Sequence, residues 1–399
     1  MKLLLFISAL VGLCCTYGSA EAQKKIPHVI RTCNEVTARR TEIILPQVKG
    51  YNVYKGDFHI HTTYSDGGVN PDSRVTEAWY DGLDIIAITD HYENRKGERN
   101  FFKVVAPYNE DGKPTKYLGG NAKNGIKADF NAIHDEAATK LEKSGIPMLL
   151  IKGCEMARKN ETHGHFNCLF LKDINTVYDP DMAKAFRKVK EQGGLIIHNH
   201  PGWRRKTSDK TEFHNQVYSE GLIDGVEVVN GLSFYPHIVR RCIDEKLAMF
   251  ANTDIHATTY ANYGSVGLHR TMTLVLAKDL TEKAVKDAIL KRRTIAYAGG
   301  SLIGEEEWLS EFLNAAVDCR LVRVDEKKGS RLFTITNMSS ITYKLRRGKT
   351  VYTLEPFKTI TYSFGKDKEK KKYLAPKFTI ENMWHADFKH PVIELKLDK

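Results

Sequence analysis

The sequence predicts an α/β barrel with a polar site at the carboxyl ends of its strands, followed by a small C-terminal antiparallel β domain. Apolar runs of strand length alternate with helix-like segments about seven times between residues 51 and 316, which is typical of an α/β architecture with a parallel sheet. Side chains that bind metals follow several of these runs, and a barrel of this type places its site at that end. After residue 317 the pattern changes to short β-rich runs separated by polar turns, which indicates the second domain.

Each predicted element of the barrel rests on a local signal. The continuous apolar run at residues 84–89 is typical of a strand covered on both faces. The helix at residues 129–144 begins at Asp129, a residue type that caps helices, and ends at Gly145. Residues 92–128 are polar and form a long predicted loop. The predicted strands cover residues 53–61, 84–89, 148–151, 163–171, 195–197, 225–229, 248–251 and 271–276, and the predicted helices cover residues 71–81, 129–144, 181–192, 236–246 and 281–293.

The C-terminal domain, residues 317–399, is predicted to be a sandwich-like antiparallel β domain. Its predicted strands alternate or are rich in β-branched and aromatic residues, and short polar turns join them. A lysine-rich run at residues 366–372 is interpreted as a charged hairpin turn, with anion binding as the alternative. The strands are expected at residues 319–324, 331–336, 342–346, 359–364, 377–380 and 392–397.

Length and composition set broad limits on the function. A chain of 399 residues can form one large barrel and a small second domain. Its 42% apolar and 27% charged residues are ordinary for a globular protein. The net charge of +11 is compatible with an anionic substrate, an anionic surface or nucleic acid, and equally with a solvated basic face.

Residues 1–22 are predicted to be a signal peptide. A basic start precedes an apolar run at residues 3–13, which is too short for a membrane span, and Ala20-Glu21-Ala22 fits an A-x-A cleavage site. We therefore expect an exported protein, periplasmic or secreted, with a loosely structured lead-in at residues 23–50. Lipid anchoring at Cys14 is the less favoured alternative, because a bulky residue precedes this cysteine.

The cysteines do not predict a disulfide framework. Removal of the signal peptide leaves an odd number of widely spaced cysteines without a CxxC pair. Those in apolar contexts are expected to be buried thiols. The remaining cysteines are Cys33, Cys154, Cys168, Cys242 and Cys319.

The first strand ends in the pair His59 and His61. Successive side chains on a strand point to opposite faces, so these two imidazoles share one face while Phe58 and Ile60 occupy the other. Two imidazoles on one side of a strand end can bind one metal ion between them. A single histidine at a strand end is usually structural, so a metal site requires further ligating side chains near His59 and His61.

Such donors follow the later strands. Several strand ends carry a ligand-type residue that faces the same rim, which chance explains poorly. A zinc-like ion takes about four nitrogen and oxygen ligands. The number of donors therefore indicates two or three ions, with Glu155 as a bridging carboxylate. The predicted metal ligands are His59, His61, Asp66, His91, Glu155, His165, His200, Asp254 and His256.

These donors form an ordered series of motifs: His59-x-His61, Asp66, Asp90-His91, Glu155, Gly164-His165, His200-Pro201 and Asp254-x-His256. The series resembles the PHP (polymerase and histidinol phosphatase) superfamily over roughly residues 50–300. The resemblance implies a distorted (β/α)7 barrel with a di- or trinuclear site of zinc, manganese or iron. The signal peptide and the C-terminal β domain make the chain most similar to secreted PHP phosphodiesterases that act on organophosphate esters.

The resemblance also implies how the donors divide among the ions. Many members of the superfamily have histidine at the position of Asp66, and a carboxylate there favours harder ions such as Mn²⁺ or Fe²⁺ relative to zinc. By resemblance, one ion is bound by His59, His61, Glu155 and Asp254, a second by Asp66, His91 and His256, and a third by Glu155, His165 and His200.

Two pairs of histidines are ambiguous from the strand period alone. His163 and His198 each lie two residues before a predicted ligand and share its face, so either member of a pair can be the ligand. His165 and His200 are favoured because their neighbours match the superfamily motifs. The spare histidines are then interpreted as partners of the ligands or as proton donors to the leaving group.

The predicted function is metal-dependent hydrolysis of small-molecule phosphate esters, with phosphodiesters favoured over monoesters. Metal-activated hydroxide attacks phosphorus in line, and the ions offset charge in the transition state. We predict that His198 and Arg270 act in catalysis and that Arg204 and Arg205 bind the substrate. Surface solvation is the alternative for each arginine. Nucleic acid is not the expected substrate of an exported enzyme.

Two other functional classes stay open at this stage. One is a metallohydrolase of the amidohydrolase type, which also begins with an HxH motif. That class typically bridges its metals with a modified lysine and does not require Glu155 and His165. The other is a non-catalytic module that keeps its metals, which the complete set of donors argues against.

Overall fold

The protein is described by a computed structural model that covers residues 39–95, 98, 108, 112–114, 116–118, 126–325, 327, 329–365 and 375–397. The residues from Arg40 onward form one compact unit. The predicted signal peptide, most of the predicted lead-in, Cys33 and the lysine-rich run lie outside the described residues. In the described part of the chain, no helix is long and apolar enough to cross a membrane.

The strands match the predicted apolar runs and add some that the sequence did not indicate. Strands that the sequence did not predict occur at Thr294–Ala298, Ser301–Ile303 and Thr350–Leu354, among others. In the described residues the strands are β1 (Asn52–Ile60), β2 (Ile85–Ile88), β3 (Tyr117–Leu118), β4 (Ile126–Lys127), β5 (Leu149–Ala157), β6 (His165–Leu169), β7 (Leu195–His198), β8 (Gly225–Asn230), β9 (Ser233–Phe234), β10 (Ala248–Asn252), β11 (Met272–Ala277), β12 (Thr294–Ala298), β13 (Ser301–Ile303), β14 (Val317–Asp325), β15 (Ser330–Asn337), β16 (Tyr343–Arg347), β17 (Thr350–Leu354), β18 (Thr359–Gly365), β19 (Lys377–Ile380), β20 (Met383–Trp384) and β21 (Val392–Glu394).

A mixed sheet of 12 strands curls into a half-barrel, which confirms the predicted barrel architecture. The strands pair in the order β10-β8-β7-β6-β5-β2-β1-β11-β12-β13-β20, and β9 joins β8. The predicted parallel sheet is wrong in part, because β5 pairs antiparallel with β6, β6 with β7, and β1 with β11. The β5–β6 connection spans only residues 158–164. A parallel crossover needs about a dozen residues or more, so this short connection forces an antiparallel pair.

The helices alternate with the strands much as the sequence predicts. Asp181 accepts hydrogen bonds from the N–H groups of Ala183 and Lys184 and so caps its helix. Asp129 does not cap the helix predicted at residues 129–144, because in the structure this helix begins after Asn131. The second helix ends at Gly145, which adopts a left-handed conformation with φ 63°. The helices are α1 (Pro71–Tyr80), α2 (Ala132–Ser144), α3 (Met182–Glu191), α4 (Glu212–Ser219), α5 (Pro236–Asp244), α6 (Thr259–Asn262), α7 (Glu282–Leu290) and α8 (Glu306–Ala316).

The C-terminal strands form two small antiparallel sheets, as predicted. One sheet has the order β14-β15-β18 and the other β17-β16-β19-β21. In β15 buried and half-buried residues alternate, so one face of this strand packs inward. Tyr362 of β18 contacts Phe378 of β19, with ring centroids 4.8 Å apart. The two sheets therefore face each other as a sandwich.

The apolar core continues from the half-barrel into the C-terminal sheets. Ile86 of β2, Phe312 of α8 and Phe333 of β15 belong to one buried cluster. The sheet of the half-barrel also gains β20 beside β13, and Arg240 of α5 pairs with Asp387 at 2.6 Å. Across the predicted boundary near residue 317, the two parts of the chain share an apolar core and, through β20, one sheet.

Candidate metal centre

The end of β1 delivers two buried histidines. His59 and His61 are both fully buried, and their Nε2 atoms lie 3.1 Å apart. Arg74 of α1 fixes this strand end, because its Nε donates to the carbonyl of His61 at 2.9 Å and its Nη2 donates to that of His256 at 3.0 Å. One buried guanidinium thus fastens together two segments that are far apart in the sequence.

A tight turn after β1 brings Asp66 back to His61. Asp90, which follows β2, anchors the turn by accepting hydrogen bonds from the backbone N–H of Thr62 at 2.8 Å and from its hydroxyl at 2.6 Å. A Cβ atom at Gly67 would lie 2.7 Å from the carbonyl oxygen of His61, so only glycine fits this approach. As a result, Oδ1 of Asp66 lies 3.5 Å from Nδ1 of His61.

All of the predicted metal ligands come together in overlapping groups. Within each group the candidate ligand atoms lie within 4.8 Å of one another. Overlap between groups is expected when neighbouring ions share ligands. The groups are His61, Asp66, His91 and His256; His59, Glu155 and His200; His59, His61 and Asp254; and His91, Glu155 and His165.

Glu155 of β5 connects several of these donors. Its Oε1 lies 3.2 Å from Nδ1 of His165 and 3.5 Å from Nε2 of His59, and its Oε2 lies 2.7 Å from Nδ1 of His91. Nδ2 of Asn199 donates to Oε1 at 2.9 Å and orients the carboxylate. Both oxygens therefore face imidazoles, which is the arrangement that a bridging ligand requires.

Asp254, which follows β10, faces the pair of histidines on β1. Its Oδ1 lies 3.0 Å from Nε2 of His61 and 3.2 Å from Nε2 of His59. Burial raises the pKa of Asp254, but attraction to His59, His61 and His200 outweighs burial and leaves this pKa well below its usual range. The carboxylate is therefore ionised at neutral pH, as a metal ligand must be.

Asp66 faces two further imidazoles. Its Oδ1 lies 3.3 Å from Nε2 of His256, and its Oδ2 lies 3.4 Å from Nε2 of His91. Burial lowers the pKa of His91, but Glu155 and Asp66 outweigh burial and raise this pKa to about 10. An imidazole between two carboxylates lies in a strongly negative potential, which favours a bound cation.

Two buried atoms in this cluster make no hydrogen bond with the described residues. They are Nδ1 of His91 and Oε2 of Glu155, which lie 2.7 Å apart but are not oriented for a hydrogen bond with each other. Buried polar atoms are nearly always satisfied, so unsatisfied ones indicate a position for a ligand. Imidazole nitrogen and carboxylate oxygen are the donors that zinc, manganese and iron use in proteins. The residues present fit a divalent metal centre.

A small pocket lies beside His165 and His200. Trp203 is 40% exposed and contacts both rings, with centroid distances of 5.5 Å and 5.2 Å. The guanidinium of Arg204 lies 4.4 Å from the Trp203 ring, and Arg205 lines the pocket. The two arginines thus lie beside the donor cluster, and their role in substrate binding stays a prediction.

The chain matches the family model of the PHP domain over residues 57–291, which is more than half of its length. The chain belongs to the PHP domain family. The match confirms the resemblance found in the sequence motifs, and the donor cluster indicates that this PHP domain binds divalent metal ions. No curated protein matches the chain at a significant level.

A crystal structure from Bacteroides vulgatus resembles the whole PHP chain. It is that of a two-domain protein containing a predicted PHP-like metal-dependent phosphoesterase, with 32% identity and a TM-score of 0.76. The match covers 90% of this chain and 100% of that chain. The fold is therefore that of a PHP-like metal-dependent phosphoesterase with a C-terminal β domain.

Two other structures are less similar to this PHP chain. A proposed metal-dependent phosphoesterase from Bifidobacterium adolescentis has 17% identity and a TM-score of 0.37 over 59% of this chain and 96% of that chain. Endonuclease Q, solved with a 27-mer duplex that carries an abasic lesion, has 14% identity and a TM-score of 0.38 over 76% of this chain and 65% of that chain. Similarity at this level carries no conclusion about the substrate.

In this PHP domain the groups of neighbouring candidate ligands differ in detail from the predicted assignment of ligands to three ions. His61 lies with Asp66, His91 and His256, in addition to its contacts with Asp254. His91 spans two groups, because its two ring nitrogens face different carboxylates. The number of ions and the ligands of each stay predictions.

Of the two ambiguous histidine pairs in the PHP domain, the donor groups include His165 and His200 and, among the described residues, leave out His163 and His198. Nδ1 of His198 lies 2.8 Å from the hydroxyl of Tyr218. Burial lowers the pKa of His198 well below its usual value, so its ring is neutral. The proton-donor role of His198 stays a prediction, and its surroundings oppose a charged ring.

The structure opposes both the predicted catalytic role of Arg270 and its alternative, surface solvation. The Arg270 side chain is only 1% exposed, and its Nη2 lies 2.7 Å from Oδ2 of Asp57. Its Nη1 lies 3.3 Å from Oδ2 of Asp81. Asp57 in turn accepts hydrogen bonds from the backbone N–H groups of His59 and Thr253. Arg270 therefore neutralises a buried carboxylate behind the PHP metal centre, and this guanidinium is not available to a substrate phosphate.

Sequence reasoning also missed Glu227 and Arg74. Glu227 is a fully buried carboxylate within β8, and Arg74 is a fully buried cation within α1. The available signal was a charged residue inside an otherwise apolar run, as in the strand Gly225–Asn230. A buried charge is costly unless it is paired, so such a residue indicates a specific partner in the PHP fold.

Proposed function

We propose that this PHP domain is an exported metal-dependent phosphodiesterase that hydrolyses small-molecule phosphate esters. The observation that carries the proposal is the convergence of imidazole and carboxylate donors around Glu155. The choice of a diester as substrate rests on the resemblance of the chain to secreted PHP phosphodiesterases, and a small pocket lined by Trp203 and Arg205 adjoins His165 and His200. The proposed export rests on the signal-like segment at residues 1–22.

The donor cluster would hold two or three divalent ions of zinc, manganese or iron. Such ions, when bound, activate water and offset the charge on phosphate oxygens. The side chain of Asp66 favours Mn²⁺ or Fe²⁺ relative to zinc, because carboxylate oxygen prefers harder ions. We propose that Arg204, which lies over the ring of Trp203, and Arg205, which lines the adjoining pocket, bind the substrate.

Hydrolysis of chromogenic esters tests the proposal. We expect metal-loaded protein to cleave bis(p-nitrophenyl) phosphate faster than p-nitrophenyl phosphate. His165→Ala and Asp254→Ala should abolish cleavage, because each removes a donor from the cluster. His134→Ala is the matched control and should keep the wild-type rate, since His134 lies on α2 outside the donor groups and its Nδ1 lies 3.3 Å from Oδ1 of Asp135.

Each alternative function gives a distinct result in the same assay. Faster cleavage of the monoester would identify a phosphomonoesterase. Turnover of amide or lactone substrates alone would favour the amidohydrolase type of chemistry. A fully metallated protein without turnover on any ester would contradict the phosphoesterase proposal and favour a non-catalytic metal-binding module.

A further inference from the structure

One buried carboxylate contacts the donor groups without belonging to them. Glu227, within β8, accepts hydrogen bonds at both of its oxygens. Its Oε1 accepts from Nδ1 of His59 at 2.8 Å and from Nδ2 of Asn252 at 3.0 Å. Its Oε2 accepts from the backbone N–H of His200 at 2.8 Å and from Nδ2 of Asn230 at 2.9 Å. These bonds fill the acceptor capacity of a carboxylate.

The contact with Glu227 decides which nitrogen of His59 faces the other donors. A carboxylate oxygen at 2.8 Å from Nδ1 requires a proton on that nitrogen. Nε2 then faces Nε2 of His61 at 3.1 Å and Oδ1 of Asp254 at 3.2 Å. A neutral ring with its proton on Nδ1 carries on Nε2 the lone pair that a metal ion needs.

Glu227 also restrains two other predicted ligands. His200 has φ 26° and Asp254 has φ 52°, and residues other than glycine rarely adopt such conformations. The backbone N–H of His200 is held by Glu227 itself. Nδ2 of Asn230 donates to Glu227 and also to Oδ2 of Asp254 at 3.3 Å. Glu227 thus contacts the predicted ligands His59 and His200 directly, and it contacts Asp254 through the side-chain amide of Asn230.

We propose that Glu227 is a positioning residue that sets the metal affinity of this site, because it fixes His59 with Nε2 free to bind and holds His200 and Asp254 in place. The inference rests on the metal centre of the proposed function and is independent of its substrate. A carboxylate bonded to the far nitrogen of a ligating histidine orients the ring and raises its basicity as a ligand. The contrasting explanation is that Glu227 only satisfies buried polar groups and contributes to folding alone.

Two matched substitutions on adjacent parts of the chain test this inference. Glu227→Gln keeps the shape of the side chain but replaces one oxygen with an NH₂ group, which must face the N–H of either His59 or His200. Asp224→Asn is the control. Asp224 immediately precedes β8, lies 2.7 Å from Nζ of Lys190 and belongs to none of the donor groups in the described residues.

The readout is the affinity of the metal-free proteins for Mn²⁺ alone, measured by calorimetric titration. We expect Glu227→Gln to weaken binding about 10- to 100-fold, and Asp224→Asn to leave it unchanged. Urea unfolding of each metal-free protein checks that it is folded. Wild-type Mn²⁺ affinity in folded Glu227→Gln would overturn the inference. Absence of hydrolysis by the metal-loaded wild type would instead refute the phosphodiesterase proposal and leave this comparison intact.

A measurement on the unaltered protein covers the case in which Glu227→Gln does not fold. Nitrogen-15 NMR of the Zn²⁺-loaded wild type distinguishes coordination through Nε2 from coordination through Nδ1, and the signals of His59 are those lost in His59→Asn. We expect His59 to coordinate through Nε2 and to keep its proton on Nδ1. Coordination through Nδ1 would overturn the inference, because that nitrogen would then be unable to donate to Glu227.

Discussion

At the scale of single residues, the surroundings of a histidine ring set its charge. His91 lies between two carboxylates, which raise its pKa to about 10 despite burial. His214 is also buried, but among the described residues its hydrogen-bond partners are two backbone groups and not carboxylates. Burial lowers the pKa of His214 to about 4, with Arg205 and Arg241 adding repulsion. The same residue type is thus cationic in the metal-free donor cluster and neutral in the wall of the neighbouring pocket.

The neutral ring of His214 predicts a pH dependence of stability. Its Nδ1 accepts a hydrogen bond from the backbone N–H of Thr211, and its Nε2 donates to the carbonyl of His163 at 2.6 Å. The pKa of His214 is about 4 in the folded state against 6.5 for an ordinary histidine, so between these values the unfolded chain binds more protons. The stability from this ring is complete above pH 6.5 and falls by roughly 3 kcal/mol as the pH drops to 4.

Urea unfolding of metal-free protein across this pH range measures the effect. His214→Gln removes the titrating ring but keeps a side chain that can accept from the helix start, as in a capping box. We expect the free energy of unfolding to fall less steeply below pH 6.5 in this variant than in the wild type. Parallel pH profiles for the two proteins would contradict the assignment of a neutral buried ring.

At the scale of elements, helix α1 holds together the two segments that carry predicted metal ligands. Its buried residue Arg74 donates to the carbonyls of His61, Ile255, His256 and Ala257, with distances between 2.8 Å and 3.2 Å. These carbonyls belong to the ends of β1 and β10, which meet at this edge of the half-barrel. The helix therefore contributes to the metal centre without supplying a ligand.

Removal of the Arg74 guanidinium should destabilise the protein strongly. Arg74→Met leaves several buried carbonyls without a donor, so we expect the free energy of unfolding to fall by about 3 to 5 kcal/mol. Arg187→Met is the control, because its side chain is 45% exposed and, in the described part of the chain, its ion-pair partner is Glu220 at 2.8 Å. That change should cost less than about 1 kcal/mol. Equal decreases in the free energy of unfolding of the two variants, measured by urea unfolding, would refute the role of Arg74 in holding these segments together.

At the scale of the whole molecule, the half-barrel and the C-terminal sheets share a core. The buried cluster that contains Ile86 of the barrel also contains Phe333 of the C-terminal domain. The strand pair β13–β20 and the ion pair between Arg240 and Asp387 add polar connections across the same junction. A shared core couples the stability of the two parts, so they should unfold together.

Cooperative unfolding can be tested with one core substitution in each part. Ile86→Ala and Phe333→Ala each remove a buried side chain, and each should lower the free energy of unfolding by about 2 to 5 kcal/mol. Both variants should keep a single transition in which tryptophan fluorescence and far-ultraviolet circular dichroism coincide. A second transition that only Phe333→Ala shifts would show that the C-terminal sheets unfold independently.

The sequence alone predicted the candidate donors that the structure brings together, and it predicted the general architecture. Strand period places His59 and His61 on one face, and apolar runs predict strands whose ends carry Glu155 and Asp254. These signals are local, because they depend on the periodicity of a few neighbouring residues. The same local rules predicted the helix at residues 181–192, which the structure shows as α3.

Strand order and partner choice were decided only by the tertiary structure. Nothing local indicates that Arg270 turns inward to Asp57, that Glu227 holds His59, or that Arg74 spans two strand ends. Each of these contacts joins residues far apart in the chain, so it depends on how the sheet closes. The sequence determined which side chains this protein can offer to a metal, and the closure of the mixed sheet decided which of them meet. The physical reason is that side-chain chemistry is fixed residue by residue, whereas distances across a half-barrel follow from long-range packing.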